Sequence, residues 1–288
     1  MTSKGIGLSM VAVGMGLLAA EEARAQFTVF SQGGDSAASI TSTVNSFRSA
    51  VGNPNQGVGG GPFTSGRREI NWDAPALDAF ADPNHMPADF FNNNSKRGAV
   101  LSTPGSGFFV SQRDGGNPSN PALRFGSINS TYNAEFGVFS AQRLFVADGS
   151  TITDVTFRVP SAPDREATVN GFGSVFTDVD AAGSSWMEFY GVGNVLLGTQ
   201  FVPTATAGSA GLSFLGVVFD TDRIERVRIV AGNTAIGANV NDGVFYDGLG
   251  VADVVAMDDF IYGEPVPAPG AALAGGLVLA GTMTRRRR

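Results

Sequence analysis

The chain has no cysteine. That excludes disulfides and fits either a cytosolic protein or a secreted one that folds without them. A single histidine, His85, sits in a stretch broken by Pro83 and Pro87. A Ser-His-Asp set would have to use it, yet no nucleophile turn lies nearby and no Gly-x-Ser-x-Gly elbow occurs. Without cysteine or a second histidine, zinc lacks its usual ligands. Tyr and Trp are scarce, 4 and 2 residues against 22 Phe, so the aromatics read mainly as core filling. Basic charge is also scarce: residues 26–264 hold 24 of the 26 acids but only 13 of the 19 bases, a net charge of −11. A nucleic-acid binder shows the opposite sign. An acidic body suits solubility, cations or basic partners.

What is abundant points to β structure. Glycine, at 39 residues, is about double its usual share of roughly 7%. With many Thr, Ser, Asn and Asp it implies numerous tight turns between short strands. The hydrophobic fraction of 43% is enough for a substantial core.

The two ends carry targeting patterns. Residues 1–25 read as a secretory signal: Lys4, an apolar run from Ile6 to Ala20, then Ala23-Arg24-Ala25, the small-x-small pattern that signal peptidase accepts. Cleavage there leaves Gln26 first. Residues 264–288 begin Glu264-Pro265-Val266-Pro267-Ala268-Pro269-Gly270, continue with an apolar stretch from Ala271 to Met283, and end in Arg285, Arg286, Arg287 and Arg288. Alternating prolines predict an extended, unpaired segment open to an enzyme. The arginines would hold the tail end in the cytoplasm. This order of features resembles the PEP-CTERM sorting signal of Gram-negative bacteria, with Ala268 where Glu is usual between Pro267 and Pro269. The resemblance implies export through the secretion translocon and processing by an exosortase, a membrane-embedded enzyme.

The body reads as strands with one helix. Ile40, Val44, Phe47 and Val51 recur at helical spacing, with Ser39 or Thr41 available as a cap. Residues 67–104 read as irregular apart from a short strand near Arg67–Asp73. From Gly107 onward short strands follow at roughly ten-residue spacing, a sandwich or jelly-roll pattern. Candidates include Leu123–Ile128, Phe136–Phe139, Ile152–Val159, Trp186–Tyr190 and Leu212–Phe219. The expected architecture is therefore an all-β sandwich or jelly roll with one short N-terminal helix, plus a signal helix and a C-terminal hydrophobic sorting helix. Its divisions are 1–25 signal, 26–106 helix and loops packing on the sandwich, 107–263 sandwich, and 264–288 sorting tail. The body resembles carbohydrate-binding jelly rolls and the uncharacterised exported sandwiches that precede such tails.

Chemistry-bearing residues are few. Asp178 and Asp180 share parity after a strand, and Asp258 and Asp259 adjoin near the body's end. Such oxygen donors could hold Ca²⁺, although strand-end acids also blunt edges and cap turns. Trp186 and Tyr190 share parity on one strand and are candidates for stacking on sugar, with core packing as the alternative. The Glu-x-Asp-x-x-Glu motif of laminarinase-like jelly rolls is absent. The sequence thus predicts a non-enzymatic surface or extracellular-matrix protein that could bind exopolysaccharide. A polysaccharide hydrolase and a purely structural matrix component are the alternatives.

Overall fold

The computed structural model describes residues 26–114, 123–205, 208–220, 223–248 and 250–269. The signal segment, with Ala23 and Ala25, and the tail from Gly270 to Arg288 lie outside them. Along the chain come β1 (Phe27–Gly34), α1 (Ala37–Val51), β2 (Arg67–Ile70), a 3₁₀ turn (Pro75–Phe80), α2 (Phe90–Asn93), β3 (Ala99–Ser102), β4 (Gly107–Val110) and α3 (Tyr132–Glu135). Next are β5 (Phe145–Asp148), β6 (Ile152–Val159), β7 (Ala162–Thr168), β8 (Gly171–Thr177), β9 (Trp186–Gly191), β10 (Val195–Phe201), β11 (Leu212–Phe219) and β12 (Arg226–Val230). The last are β13 (Phe245–Tyr246), β14 (Gly250–Val251), β15 (Ala256–Gly263) and β16 (Val266–Pro267).

Two seven-stranded antiparallel sheets form. The first runs β1-β11-β8-β15-β5-β4, with β2 also on β15; the second runs β10-β9-β12-β6-β7-β16, with β3 also on β6. Their facing sides make one core. Leu215, Val217, Phe172, Phe176 and Phe260 from the first meet Val155, Phe157, Met187, Phe189, Val227 and Ile229 from the second. Burying each such side chain contributes about 1.5–3 kcal/mol. The sequence alternation of β6 is realised in part: Val155, Phe157 and Val159 are buried and Thr156 and Arg158 are not, but Asp154, on the same side as Thr156 and Arg158, is buried beneath Arg226 and Arg228.

Leu212–Phe219 is apolar on both faces because both are covered. Leu215, Val217 and Phe219 face the second sheet, while Leu212, Phe214 and Val218 receive α1. The helix buries Ile40, Val44, Phe47 and Val51, the four residues that set its period. It starts one turn earlier than the cap at Ser39 or Thr41 predicts, with Ser36 at its N-cap position. The Phe47 ring lies over Gly216 and its cross-strand partner Gly173. A Cβ on Gly216 would come within 2.6 Å of that ring. The glycine pair is what lets helix and sheet approach this closely.

Other expectations change. Leu123–Ile128 and Phe136–Phe139 are not strands. Phe125 takes φ 67°, the short α3 follows, and Phe125, Tyr132 and Phe136 bury in a side cluster with Phe109, Leu144 and Val146. The stretch 67–104 is not wholly loop after its first strand, because β3 pairs with β6.

The segment expected to be unpaired is paired: Val266 lies opposite Thr168 and Pro267 opposite Ala167, and the Ala268 N–H donates to Glu166 O at 3.1 Å. Alternation explains it. Successive N–H groups of a strand point to opposite edges, so prolines at every second place remove donors from one edge only. That edge faces outward, as proline in a sheet requires. Among the described residues no helix is long and apolar enough to cross a membrane.

Candidate functional site

The outer face of the second sheet carries the predicted aromatics. On β9, Met187 and Phe189 point into the core, so Trp186, Glu188 and Tyr190 point out, all partly exposed. The core reading of Trp186 and Tyr190 therefore does not describe them. Register builds three rows across this face. Phe201, Trp186 and Val230 form one, Thr199, Glu188, Arg228 and Asp154 the second, and Leu196, Tyr190, Arg226 and Thr156 the third. Phe201 and Leu196 are well exposed.

Polar contacts fix the rings. The Trp186 Nε1–H donates to Glu188 Oε1 at 3.3 Å, and the Tyr190 hydroxyl donates to Glu188 Oε2 at 2.6 Å. That second bond holds the proton on Tyr190 and raises its pKa above the ordinary phenol value. The Arg226 guanidinium lies 3.8 Å from the Tyr190 ring centroid. Arg226 and Arg228 both donate to Asp154, at 2.7 and 2.9 Å. Four residues apart on one strand, Trp186 and Tyr190 lie about 13 Å apart along it. The result is a row of oriented rings edged by charge, a surface able to stack on sugar faces and hydrogen-bond hydroxyls.

The four predicted cation ligands fall into two separate pairs. Asp258 accepts the N–H groups of Phe139 and Ser140 at 2.7 and 3.1 Å and the Ser140 hydroxyl at 3.1 Å. Asp259 accepts the Ser140 hydroxyl at 2.7 Å and pairs with Arg48 at 3.2 Å. These two carboxylates, with Asp73 on Gln142 N and Arg143 N, hold the loop before β5.

Asp178 and Asp180 do not share a face. The strand ends at Thr177, Asp178 takes φ 71°, and the chain turns so that Asp178 is fully buried and Asp180 exposed. Asp178 instead meets Glu135 and Asp242, the three offering oxygens within 4.8 Å of one another. Burial pushes Asp178 up to about 9, and the charges of Asp242, Asp180, Glu135 and Asp253 push the same way. Burial likewise raises Asp242 to about 6.

Glu135 and Asp242 carried no local signal in the sequence. They reach Asp178 only because α3 and the turn before β13 fold over the end of β8. His85 contacts Asp148 at 2.9 Å and stacks on Phe109, with no serine or threonine hydroxyl bonded to its ring among the described residues. Compared with known protein families, curated proteins and solved structures, the chain matches none.

Proposed function

We propose that this is an exported, non-enzymatic surface or matrix protein whose sandwich binds exopolysaccharide on the outer face of its second sheet. The observation that carries the reading is the placement of Trp186 and Tyr190, with Phe201, on one exposed face instead of in the core. Export and exosortase-type processing rest on residues 1–25 and 264–288 of the sequence, in particular Ala23, Ala25, Pro267, Ala268, Pro269 and the four arginines. Strand order supports a jelly roll as the finer fold. β11-β8-β15-β5 in one sheet and β10-β9-β12-β6 in the other give eight strands wound as interlocked Greek keys. A non-enzymatic role is supported by the burial of Asp178, which leaves one of the three convergent carboxylates with no exposed surface that a glycosidic oxygen could reach.

Trp72 is buried and Trp186 is not, so tryptophan fluorescence reports on the proposed face. Titrating host exopolysaccharide into the protein should change the emission, and Trp186→Phe should abolish the change. Tyr190→Ala should weaken binding several-fold. An unchanged emission, with no retention of the protein on immobilised polysaccharide, would remove the reading. Intact mass of the protein recovered from its native host tests export separately, since processing shortens both ends. A ligand-free structural role is the second reading. It is favoured by the Arg226 guanidinium already covering one face of Tyr190.

A further inference from the structure

Asp178 is the most anomalous polar group among the described residues. Its side chain has no exposed surface, and neither carboxylate oxygen has a hydrogen-bond partner among the described residues. Leaving a buried carboxylate unsatisfied costs several kcal/mol unless it is protonated or paired. Other buried aspartates here are satisfied. Asp258 accepts the N–H groups of Phe139 and Ser140, and Asp253 accepts the N–H groups of Asp180 and Ala181 at 3.1 and 3.3 Å. An orphaned oxygen of Asp178 lies within 4.8 Å of a carboxylate oxygen of Glu135 and of Asp242.

The partners are held in place by their own contacts. Ser209 donates its hydroxyl to Glu135 Oε2 at 2.8 Å, and the Ala210 N–H donates to Glu135 O at 2.5 Å. The Val254 N–H donates to Asp242 Oδ1 at 2.7 Å. The Asp178 N–H donates to Gly211 O at 3.0 Å. None of the three carboxylates makes an ion pair among the described residues.

We propose that Glu135, Asp178 and Asp242 bind one hard divalent cation, and that calcium is the ion the site selects. The donors are all carboxylate oxygen, which disfavours zinc, an ion that takes nitrogen and sulfur in structural sites. They come from a helix end, a strand end and a turn, an irregular arrangement that calcium tolerates with 6–8 oxygens and that octahedral magnesium does not. Asp178 supplies an oxygen that has no other partner among the described residues, and water can complete the shell. Bound calcium would cross-link α3, the end of β8 and the turn before β13, three elements that lack a disulfide to join them.

The test uses protein purified from its native host and stripped with EGTA. Calorimetric titration with CaCl2 should show one equivalent bound, with Kd at or below the 10⁻⁴–10⁻³ M range typical of extracellular calcium modules. Melting temperature should rise with the logarithm of calcium concentration, and more weakly with magnesium. Asp178→Asn should raise Kd at least tenfold and remove the melting shift. Asp242→Asn, which keeps the acceptor for the Val254 N–H, should do the same and serves if Asp178→Asn does not fold. Asp164→Asn, an exposed acid elsewhere, should change neither. The proposal is overturned if the stripped protein shows no heat and no melting shift in millimolar CaCl2. It is equally overturned if the Asp178 and Asp242 variants bind as the parent does. In either case the three carboxyls share protons and not a metal.

Discussion

Arg68 and Glu264 face each other across 196 residues of sequence in a doubly hydrogen-bonded ion pair closed to water, Nε to Oε2 at 2.6 Å and Nη2 to Oε1 at 2.8 Å. Arg68 also donates to the carbonyls of Gly57, Gly59 and Gly60, and the Phe63 N–H donates to Glu264 Oε1. The pair thus gathers the glycine-rich loop onto the link between β15 and β16. Removing one partner of such a pair leaves a buried charge unmatched, at a cost of about 3–5 kcal/mol. Glu264→Ala should lower urea-measured stability by that amount, and truncation after Gly263 should do at least as much. A loss below about 1 kcal/mol, the value of an exposed pair, would show that water reaches Arg68.

Asp258 and Asp259 should make stability fall as pH rises. Burial raises Asp258 well above the usual carboxylate range, and the neighbouring Asp259 charge adds to it. Burial raises Asp259 too, opposed by its Ser140 hydrogen bond and by Arg48. The native state therefore holds protons that the unfolded chain gives up near pH 4. The contribution is complete below that pH and is lost as pH climbs through the raised native values. In EGTA, unfolding free energy should be lower at pH 8 than at pH 5, and Asp258→Asn should flatten the slope. A parent profile that is level between those values would contradict the assignment.

Phe47 should be the most costly truncation on α1. It is fully buried against Phe30 and Phe214, and Phe47→Ala should cost about 3–5 kcal/mol. Gly216→Ala forces a Cβ into the same ring and should cost about 1–3 kcal/mol. Combining Gly216→Ala with Phe47→Leu should cost less than the two single changes added together. Strict additivity in chemical denaturation would show that the ring and the glycine are not coupled.

Asp154 anchors two guanidinium groups on the outer face. Asp154→Ala should destabilise by about 1.5–3 kcal/mol, the worth of hydrogen bonds to charged groups. Arg228→Gln should cost less, since Arg226 keeps its bond to Asp154. Equal losses in thermal denaturation would indicate that Arg226 contributes nothing.

Where a residue pattern repeats locally, the sequence could be read. The spacing of Ile40, Val44, Phe47 and Val51 declares α1, and the alternation in Ile152–Val159 declares β6 with its true limits. β7 could not be read. Pro163, Asp164, Arg165 and Glu166 show no apolar alternation, and the segment is a strand only because β6 and β16 flank it. Phe125 and Phe136 mimic strand residues because they are buried, but they fill a side cluster from turns and a short helix. The acidic group is the clearest case. Asp178 stood out as half of an Asp-x-Asp pair, yet its partner is not Asp180. It meets Glu135 and Asp242, which only the closed fold brings within reach.

The second sheet separates two edges. β16 ends it on one side and β10 on the other, with β9, β12, β6 and β7 between. Traction applied to the chain beyond Pro269 arrives first at the two residue pairs joining β16 to β7 and then at the Arg68–Glu264 pair. The rings on β9 and β10 sit at the opposite rim. A molecule held by its C-terminal end would therefore present its aromatic row at the rim of the sheet away from the point of attachment.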